Sequence, residues 1–445
     1  MPARSSPTAP WQTALLAGTI LLAGGLVVAG YRTDSAVLFY GGLLGMAAAA
    51  GPAAFALGHG RWRDGVLVTG ICVAISILLF VASELAWRAM EGTRAEGAAR
   101  RVVARVFSFD AARENPKGFV EFWDRHIEQM KKVSYVMADP RGLNPYVLRP
   151  GAKGALHDSE VRINQLGFRG REISVDKGDR FRIIALGEST TFGVTVEPGD
   201  RPWPDALEDQ IRRGFSCDAP VEVINAGVPG WTLANQRNRM EYDILPLRPD
   251  LILSYHGYNG FPWFFGNLPG LPFLPAPQVQ PRPSRLLERA EKGWRLRDLR
   301  ARYARGLDRS VLHADVLATP YADEYQRLIR LAGSSGVQLA LATFNMAVNE
   351  SSPEEVVDFY AASFPEVRSA ILANQLHSRL LRQLPKPPGV YFIDTAPGLD
   401  GEYREHFLDL VHFTQPGRER LAGNILAGIR AILLTHPRLS CRPAG

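Results

Sequence analysis

Four short stretches, far apart in the chain, hold the groups that acyl transfer needs: Gly187-Glu188-Ser189-Thr190, Asn225-Ala226-Gly227, His256-Gly257-Tyr258-Asn259 and Asp409-Leu410-Val411-His412. A serine hydroxyl is a weak nucleophile until a base lies within hydrogen-bond reach. His412 is the candidate base. Asp409, three residues earlier, can hold one ring nitrogen while the other faces Ser189, fixing the tautomer and stabilising the imidazolium. The charge that develops on an attacked carbonyl oxygen needs donors aimed at it. The backbone amides of Ser189 and Gly227 and the side-chain amide of Asn259 are the candidates.

Each signal alone has a plain structural explanation. A serine after glycine is usually a turn residue, and an Asp-x-x-His before Gln415-Pro416-Gly417 suits a helix entrance, where proline fits the first turn. Gly227 alone reads as a turn and Asn259 as a loop amide. Their occurrence together, each near the end of an expected strand, is what points to chemistry. His256 lies close to Asn259 and reads as a hydrogen-bonded structural histidine. Trp231, Trp263, Phe344 and Asn345 are candidate substrate-binding residues by position, with ordinary packing as the competing role.

The elements that must position these groups begin near Phe181. Apolar runs at 182–186, 221–225, 251–254, 338–343 and 390–394 alternate with helical patterns at 203–213, 233–242, 321–332 and 417–434. Continuous apolar runs suit strands buried on both faces, and strands alternating with helices indicate a parallel, doubly wound sheet. Ligands of such sheets bind at the carboxyl ends of the strands, where Ser189, Gly227 and Asn259 fall. Residues 261–318 interrupt the alternation with an aromatic and proline-rich part, then a basic part in which 282–309 carries ten Arg or Lys against four Asp or Glu. This insertion reads either as a solvated helix beside a loop or as a lid over the site.

The four stretches resemble the motifs of the SGNH hydrolases, also called GDSL-type esterases. Ser189, Gly227, Asn259 and His412 match the four residues for which that superfamily is named, and Asp409 matches the usual partner of the histidine. The resemblance covers about residues 180–435. It implies a flavodoxin-like three-layer α/β/α sandwich and ester hydrolysis or acyl transfer through an acyl-serine, with no metal or organic cofactor. Glu188 stands where the family usually has Asp, and Gly260 follows Asn259 where Asp is common. The nucleophile-elbow pattern Gly-x-Ser-x-Gly is absent, since Thr191 occupies the second glycine position.

The first 90 residues differ in kind. Windows at 5–31, 35–60 and 65–83, of 27, 26 and 19 residues, contain no Asp, Glu, Lys or Arg. A bilayer core of roughly 30 Å takes about 20 apolar residues of helix, so the expectation is three transmembrane helices in a region 1–90. A cleaved signal peptide is the competing reading of the first. A helical linker and small extended segment over 91–180 and a hydrolase domain over 181–436 follow. Arginines in the short loops favour a cytoplasmic N-terminus, and three crossings then put the hydrolase domain outside. The net charge of +6 and pI near 9.2 are spread along the chain, which gives nucleic-acid binding little support. Of three cysteines, Cys72 lies in an apolar window, and Cys217 with Cys441 could form a disulfide or remain two thiols.

The sequence therefore predicts a multi-pass, membrane-anchored serine esterase acting on an acylated small molecule or polysaccharide of the cell envelope. An acyltransferase with the same residues, and a non-catalytic envelope-assembly module keeping the fold, are the alternatives.

Overall fold

The computed structural model describes residues 10–33, 35–57, 63–90, 135–156, 159–193, 201–265, 283–287, 290, 291, 294, 309–361, 364 and 366–444. They fall into two compact units, Met1–Ala99 with Pro275–Leu299, and Arg100–Leu274 with Arg300–Gly445. The expected helical linker lies, up to residue 134, outside the described residues, as do 266–282 and 295–308 of the insertion.

The first unit is built on three helices, α1 (Pro10–Thr33), α2 (Ala36–Leu57) and α3 (Arg63–Met90). Large apolar side chains such as Leu21, Val37, Leu79 and Leu85 are exposed on them, a surface that water does not favour. Among the described residues one segment is long and apolar enough to cross a bilayer: Val68–Ala86 of α3, 19 residues with a mean hydropathy of 2.2. At 1.5 Å per residue it rises about 28 Å. The expectation of three transmembrane helices is corrected here. The described apolar stretches of α1 and α2, Ala17–Arg32 and Val37–Ala50, are shorter, rising about 24 and about 21 Å. Their composition is partly devoted to helix-to-helix contact: a Cβ on Gly42 would lie 2.6 Å from the Ala23 carbonyl oxygen, and one on Gly45 would lie 3.2 Å from the Ala23 Cβ. Small residues at such faces let two helix backbones approach closely.

Near the end of α3 a carboxylate is fully buried. Glu84 accepts hydrogen bonds from Ser284 Oγ (2.9 Å) and from the backbone N–H groups of Arg285 (2.8 Å) and Leu286 (3.0 Å), and Arg88 Nε lies 2.8 Å from it. Arg88 Nη2 also donates to the Pro283 carbonyl (2.6 Å). Part of the insertion is thereby fastened to α3 by a carboxylate that caps its backbone amides.

The second unit is an α/β fold around one parallel sheet of five strands: β1 (Phe181–Gly187), β2 (Val221–Asn225), β3 (Leu251–Tyr255), β4 (Gln338–Ala342) and β5 (Val390–Ile393), ordered β2-β1-β3-β4-β5. β1 is buried along its whole length, as its run Phe-Arg-Ile-Ile-Ala-Leu-Gly requires. Its one charge, Arg182, pairs with Glu222 of β2 at 2.6 Å and donates to the Leu247 and Ser174 carbonyls, so the buried guanidinium is satisfied. The chain passes from β1 to β2 on one side and then to β3 on the other, which makes the carboxyl end of β1 the switch point where a crevice opens.

The helices of this unit are α4 (Ser189–Phe192), α5 (Trp203–Gly214), α6 (Leu233–Arg239), α7 (Pro262–Phe265), α8 (Pro320–Ser334), α9 (Glu354–Ala361), α10 (Val367–Gln383) and α11 (Gln415–Thr435). α5 packs on α11, and α6 packs on α8. Among the local caps, Thr319 Oγ1 accepts from Ala322 N–H before α8, and Thr414 Oγ1 accepts from Gly417 N–H before α11. Cys217, just past α5, and Cys441, past α11, form a disulfide beside a two-residue antiparallel pairing of Phe215–Ser216 with Arg442–Pro443.

Residues 135–171 form small antiparallel pairs, Val136–Met137 with Val147–Leu148 and Lys153–Leu156 with Ser159–Arg162. Their apolar side chains Tyr135, Leu148, Val161 and Ile163 make a second cluster with Phe192, Val228 and Trp231. A tight turn follows: Asn164 Oδ1 accepts from Leu166 and Phe168 N–H, Gly167 has φ +78°, and Phe168 is buried. This segment packs against the turn that follows Ser189 and the loop after β2.

Candidate active site

β1 leads directly into Glu188 and Ser189, and Ser189 opens the single turn α4, which Gly193 closes at φ +78°. Ser189 is half-buried while its neighbours Glu188 and Thr190 are buried, so the hydroxyl is the part of the turn that faces outward. His412 Nε2 lies 2.8 Å from Ser189 Oγ, and His412 Nδ1 lies 2.7 Å from Asp409 Oδ2. The other Asp409 oxygen accepts the backbone N–H groups of Val411 (2.9 Å) and His412 (2.7 Å). A hairpin presents both residues: Leu408 N–H donates to the His412 carbonyl (2.7 Å), and Phe407 bridges Phe413. Asp409 is fully buried. Burial pushes its carboxyl upward, but the His412 charge and these hydrogen bonds outweigh it and hold Asp409 below the usual aspartate value.

Of the amides expected to face a developing oxyanion, Ser189 N–H begins a helix and has no intrahelical acceptor. Asn259 is part-buried and gives one Nδ2 hydrogen to the Trp231 carbonyl at 2.9 Å; an amide nitrogen carries two. Gly227 N–H donates to Asn225 Oδ1 at 2.9 Å. Its backbone lies hard against the nucleophile turn, where a Cβ would sit 2.3 Å from Phe192 N.

Three side chains that hold this arrangement were given no role by sequence reasoning. Asn225 accepts from Gly227 N–H and donates to the Thr191 carbonyl (2.8 Å), tying the β2 exit to α4. Gln236 donates to the Gly187 (2.6 Å) and Ala226 (3.2 Å) carbonyls. Glu188 is buried and accepts Gly257 N–H (3.0 Å) and Asn259 N–H (3.1 Å), and desolvation pushes its carboxyl up to about 7 against those two bonds. An asparagine two residues before a turn glycine is a legible signal, since Asx side chains bond two residues onward. Gln236 carries no such local signature.

The four candidate substrate contacts take different places. Trp231 is buried in the second cluster and reaches Asn259 through its carbonyl. Trp263 is half-buried, edge-on to Tyr321 at 5.8 Å. Phe344 is buried, stacked on Tyr255 at 5.2 Å, and lies under Gly257, where a Cβ would be 2.2 Å from its ring. Asn345 is buried, accepting from the Tyr255 hydroxyl (3.2 Å) and Thr395 Oγ1 (2.8 Å). Phe344 and Asn345 thus support the floor of the site. His256 is buried, its Nδ1 is 2.9 Å from Ser254 Oγ, and burial lowers it to about 3, so it stays neutral and structural. Among the described residues no group of three His, Cys, Asp or Glu could hold a metal ion.

Residues 185–420 match the GDSL-like Lipase/Acylhydrolase family, more than half of the chain, and the chain belongs to that family. It is a serine ester hydrolase by family. A comparison with curated proteins finds no match. Among solved structures, it is similar to a catalytic mutant of an acetylxylan esterase from Geobacillus stearothermophilus, with 15% identity, TM-score 0.35, and coverage of 56% of this chain and 93% of that one. It is also similar to a GDSL-like lipase from Bacteroides thetaiotaomicron (16%, TM-score 0.32, 57% and 89%) and to a lipase/acylhydrolase from Enterococcus faecalis (18%, TM-score 0.33, 59% and 98%).

Proposed function

We propose that the chain is a membrane-anchored esterase that removes an acyl group such as acetyl from a carbohydrate or other envelope component through an acyl-serine intermediate. The observation that carries this reading is the line of contacts Ser189 Oγ to His412 Nε2 (2.8 Å) and His412 Nδ1 to Asp409 Oδ2 (2.7 Å). Ser189 attacks the ester carbonyl, and His412 takes its proton and returns it to the leaving alcohol. Asp409 keeps the imidazole oriented. Water, activated by His412 in turn, attacks the acyl-serine and releases the acid.

The oxyanion is held by Ser189 N–H and the second Nδ2 hydrogen of Asn259. Gly227 N–H joins them by sharing its hydrogen with Asn225 Oδ1 or leaving it. Loss of one such donor costs about 3–4 kcal/mol of barrier.

Val68–Ala86 is the single membrane anchor in this reading. The Cys217–Cys441 disulfide argues for an oxidising compartment, hence for a catalytic unit outside the cytoplasmic membrane.

The test is labelling of the purified full chain with a fluorophosphonate, followed by hydrolysis of a panel of acetylated sugars and longer-chain esters. Labelling lost in Ser189→Ala and acetate release from a sugar are expected. Equal labelling of both proteins would remove the nucleophile, and transfer to an added sugar alcohol in preference to water would make the enzyme a transferase.

A further inference from the structure

A cavity opens at the carboxyl end of the sheet, the end at which Ser189 stands, but away from that residue. It encloses about 410 Å³ between α10 and the loops that leave β4 and β5, within the usual range of roughly 300–1,000 Å³ for small-molecule sites. Its α10 wall is one helical stripe, Ile371, Asn374, Gln375, Ser378 and Arg379, at the spacing that puts residues on one face. The opposite face of α10 is apolar and buried, through Ala373, Leu376 and Leu380. Two amides, a hydroxyl and a guanidinium therefore line a space that a core-packing helix would close with aliphatic side chains.

Two buried polar atoms at this wall have no protein partner, Asn374 Oδ1 and Arg379 Nε. Arg379 is held in place by its Nη2, which donates to the Ala314 carbonyl. Across the cavity Asp400 accepts from Met346 N–H (2.8 Å) and Asn349 Nδ2 (3.2 Å), which fixes its carboxylate. Arg382 at the rim is paired with Asp394 at 3.2 Å. With Arg382 paired, Arg379 shares the lining with the carboxylates of Asp400 and Glu350, so the lining carries no excess of positive charge; donors and acceptors are both present, and Leu312, Val348, Ile371 and Ala396 supply apolar surface. That composition suits a ring bearing several hydroxyls better than a phosphate or a fatty chain.

The cavity is linked to the site. The loop that supplies Val348 and Asn349 also donates Ala347 N–H to the Leu410 carbonyl (2.9 Å), next to Asp409. In the sheet, β4 stands two strands from β1, which is about 10 Å at the usual strand spacing. A ligand longer than one sugar ring spans that distance.

We propose that this cavity is a saccharide subsite, in which Asn374, Arg379 and Asp400 hold a neutral, hydroxyl-rich ring of the chain whose acylated unit is presented to Ser189. The inference rests on the esterase reading for its purpose, but binding can be measured without turnover. The probes are neutral oligosaccharides of one to four rings, unacetylated for calorimetric titration of the detergent-solubilised Ser189→Ala chain and acetylated for kinetics, with p-nitrophenyl acetate as the ester lacking a sugar. Affinity is expected to rise at least tenfold from one ring to three. In Asn374→Leu, and in Gln375→Trp, which fills the cavity without removing a buried hydrogen bond, the kcat/KM ratio of the acetylated trimer to p-nitrophenyl acetate is expected to fall at least tenfold.

Affinity independent of ring number, or a ratio unchanged in both variants, overturns the subsite. If p-nitrophenyl acetate and fluorophosphonate fail to react with wild type, the esterase reading fails instead, and oligosaccharide titration still decides the subsite.

Discussion

The carboxylate of Glu188 holds the backbone of Asn259: one oxygen accepts Asn259 N–H at 3.1 Å, the other Gly257 N–H at 3.0 Å, and the next residue along the chain from Glu188 is Ser189. Ser189 and the amide proposed to hold the oxyanion are thereby set against each other by one buried side chain. Glutamine in its place offers a single acceptor and turns an N–H group toward an N–H group. We predict that Glu188→Gln lowers kcat about ten- to a hundredfold with a smaller change in KM, below the cost of deleting a whole oxyanion donor. Steady-state kinetics on a soluble ester checks this. A rise in KM alone would mean the loop positions substrate and not the oxyanion.

The same carboxyl makes stability depend on pH in an unusual direction. Burial raises Glu188 from 4.5 to about 7 in the folded chain, so between those values the native state binds more proton than the unfolded state. The sign follows: the contribution is fully present below pH 4.5 and is lost as pH rises through about 7. The span corresponds to about 3 kcal/mol. Urea unfolding of wild type and Glu188→Gln at pH 5 and pH 8 is predicted to show wild type losing stability relative to the variant at the higher pH. Parallel curves would place the Glu188 carboxyl near its ordinary value. Because the ionised form is the one that accepts both amides, activity is predicted to fall on the acid side of neutrality.

Asp409 behaves in the opposite sense. Its folded value lies below the usual 3.8, so its contribution is present above that value and is lost as pH falls through the folded one. For catalysis, Ser189→Ala and His412→Ala are predicted to reduce kcat by roughly 10⁴-fold or more, and Asp409→Asn by roughly 10²–10⁴-fold. The double variant Ser189→Ala/His412→Ala is predicted to be no worse than either single one, because the residues act as a unit. Additive losses would argue that His412 serves another step.

The β2 exit supplies a test of positioning. Asn225→Ala removes both the acceptor for Gly227 N–H and the donor to the Thr191 carbonyl, leaving buried backbone groups unpaired at about 1–3 kcal/mol each. Gly227→Ala meets backbone 2.3 Å away at Phe192, which no side-chain rotation relieves. A lowered melting temperature together with slower fluorophosphonate labelling is expected for both variants. Labelling at the wild-type rate would free the nucleophile turn from any dependence on this loop.

The Cys217–Cys441 disulfide closes a separation of 224 residues, and loop entropy alone would credit it with about 5 kcal/mol. Because it joins the ends of two helices already packed on each other, reduction is predicted to lower stability by about 2–4 kcal/mol without abolishing folding. Unfolding curves with and without reductant measure this. In intact cells, Cys441 is predicted to react with an impermeant thiol reagent only after reduction.

The five strands were legible because each is a short apolar run bounded by polar residues, and the meeting of Ser189, His412 and Asp409 was legible because the chemistry proposed for them leaves few residue types to choose from. What joins them was not. Gln236 reaches Gly187 and Ala226 through tertiary contacts that no local pattern encodes. Phe344 and Asn345 follow a strand end, as site residues do, yet the Gly257 backbone passes over one and the Tyr255 hydroxyl engages the other. Apolar content alone overstated the membrane crossings, since glycine and alanine serve close helix contact in α1 and α2 as readily as burial in lipid. The disulfide stayed open because pairing depends on where two helix ends meet.

Besides Arg88, Glu84 draws three donors from residues two hundred positions downstream. Trimming the chain to its hydrolase portion would remove that carboxylate from Ser284 and from the amides of Arg285 and Leu286. A version cut after residue 99 therefore keeps this stretch without the carboxylate it binds, and it is better made by excising 275–299 as well.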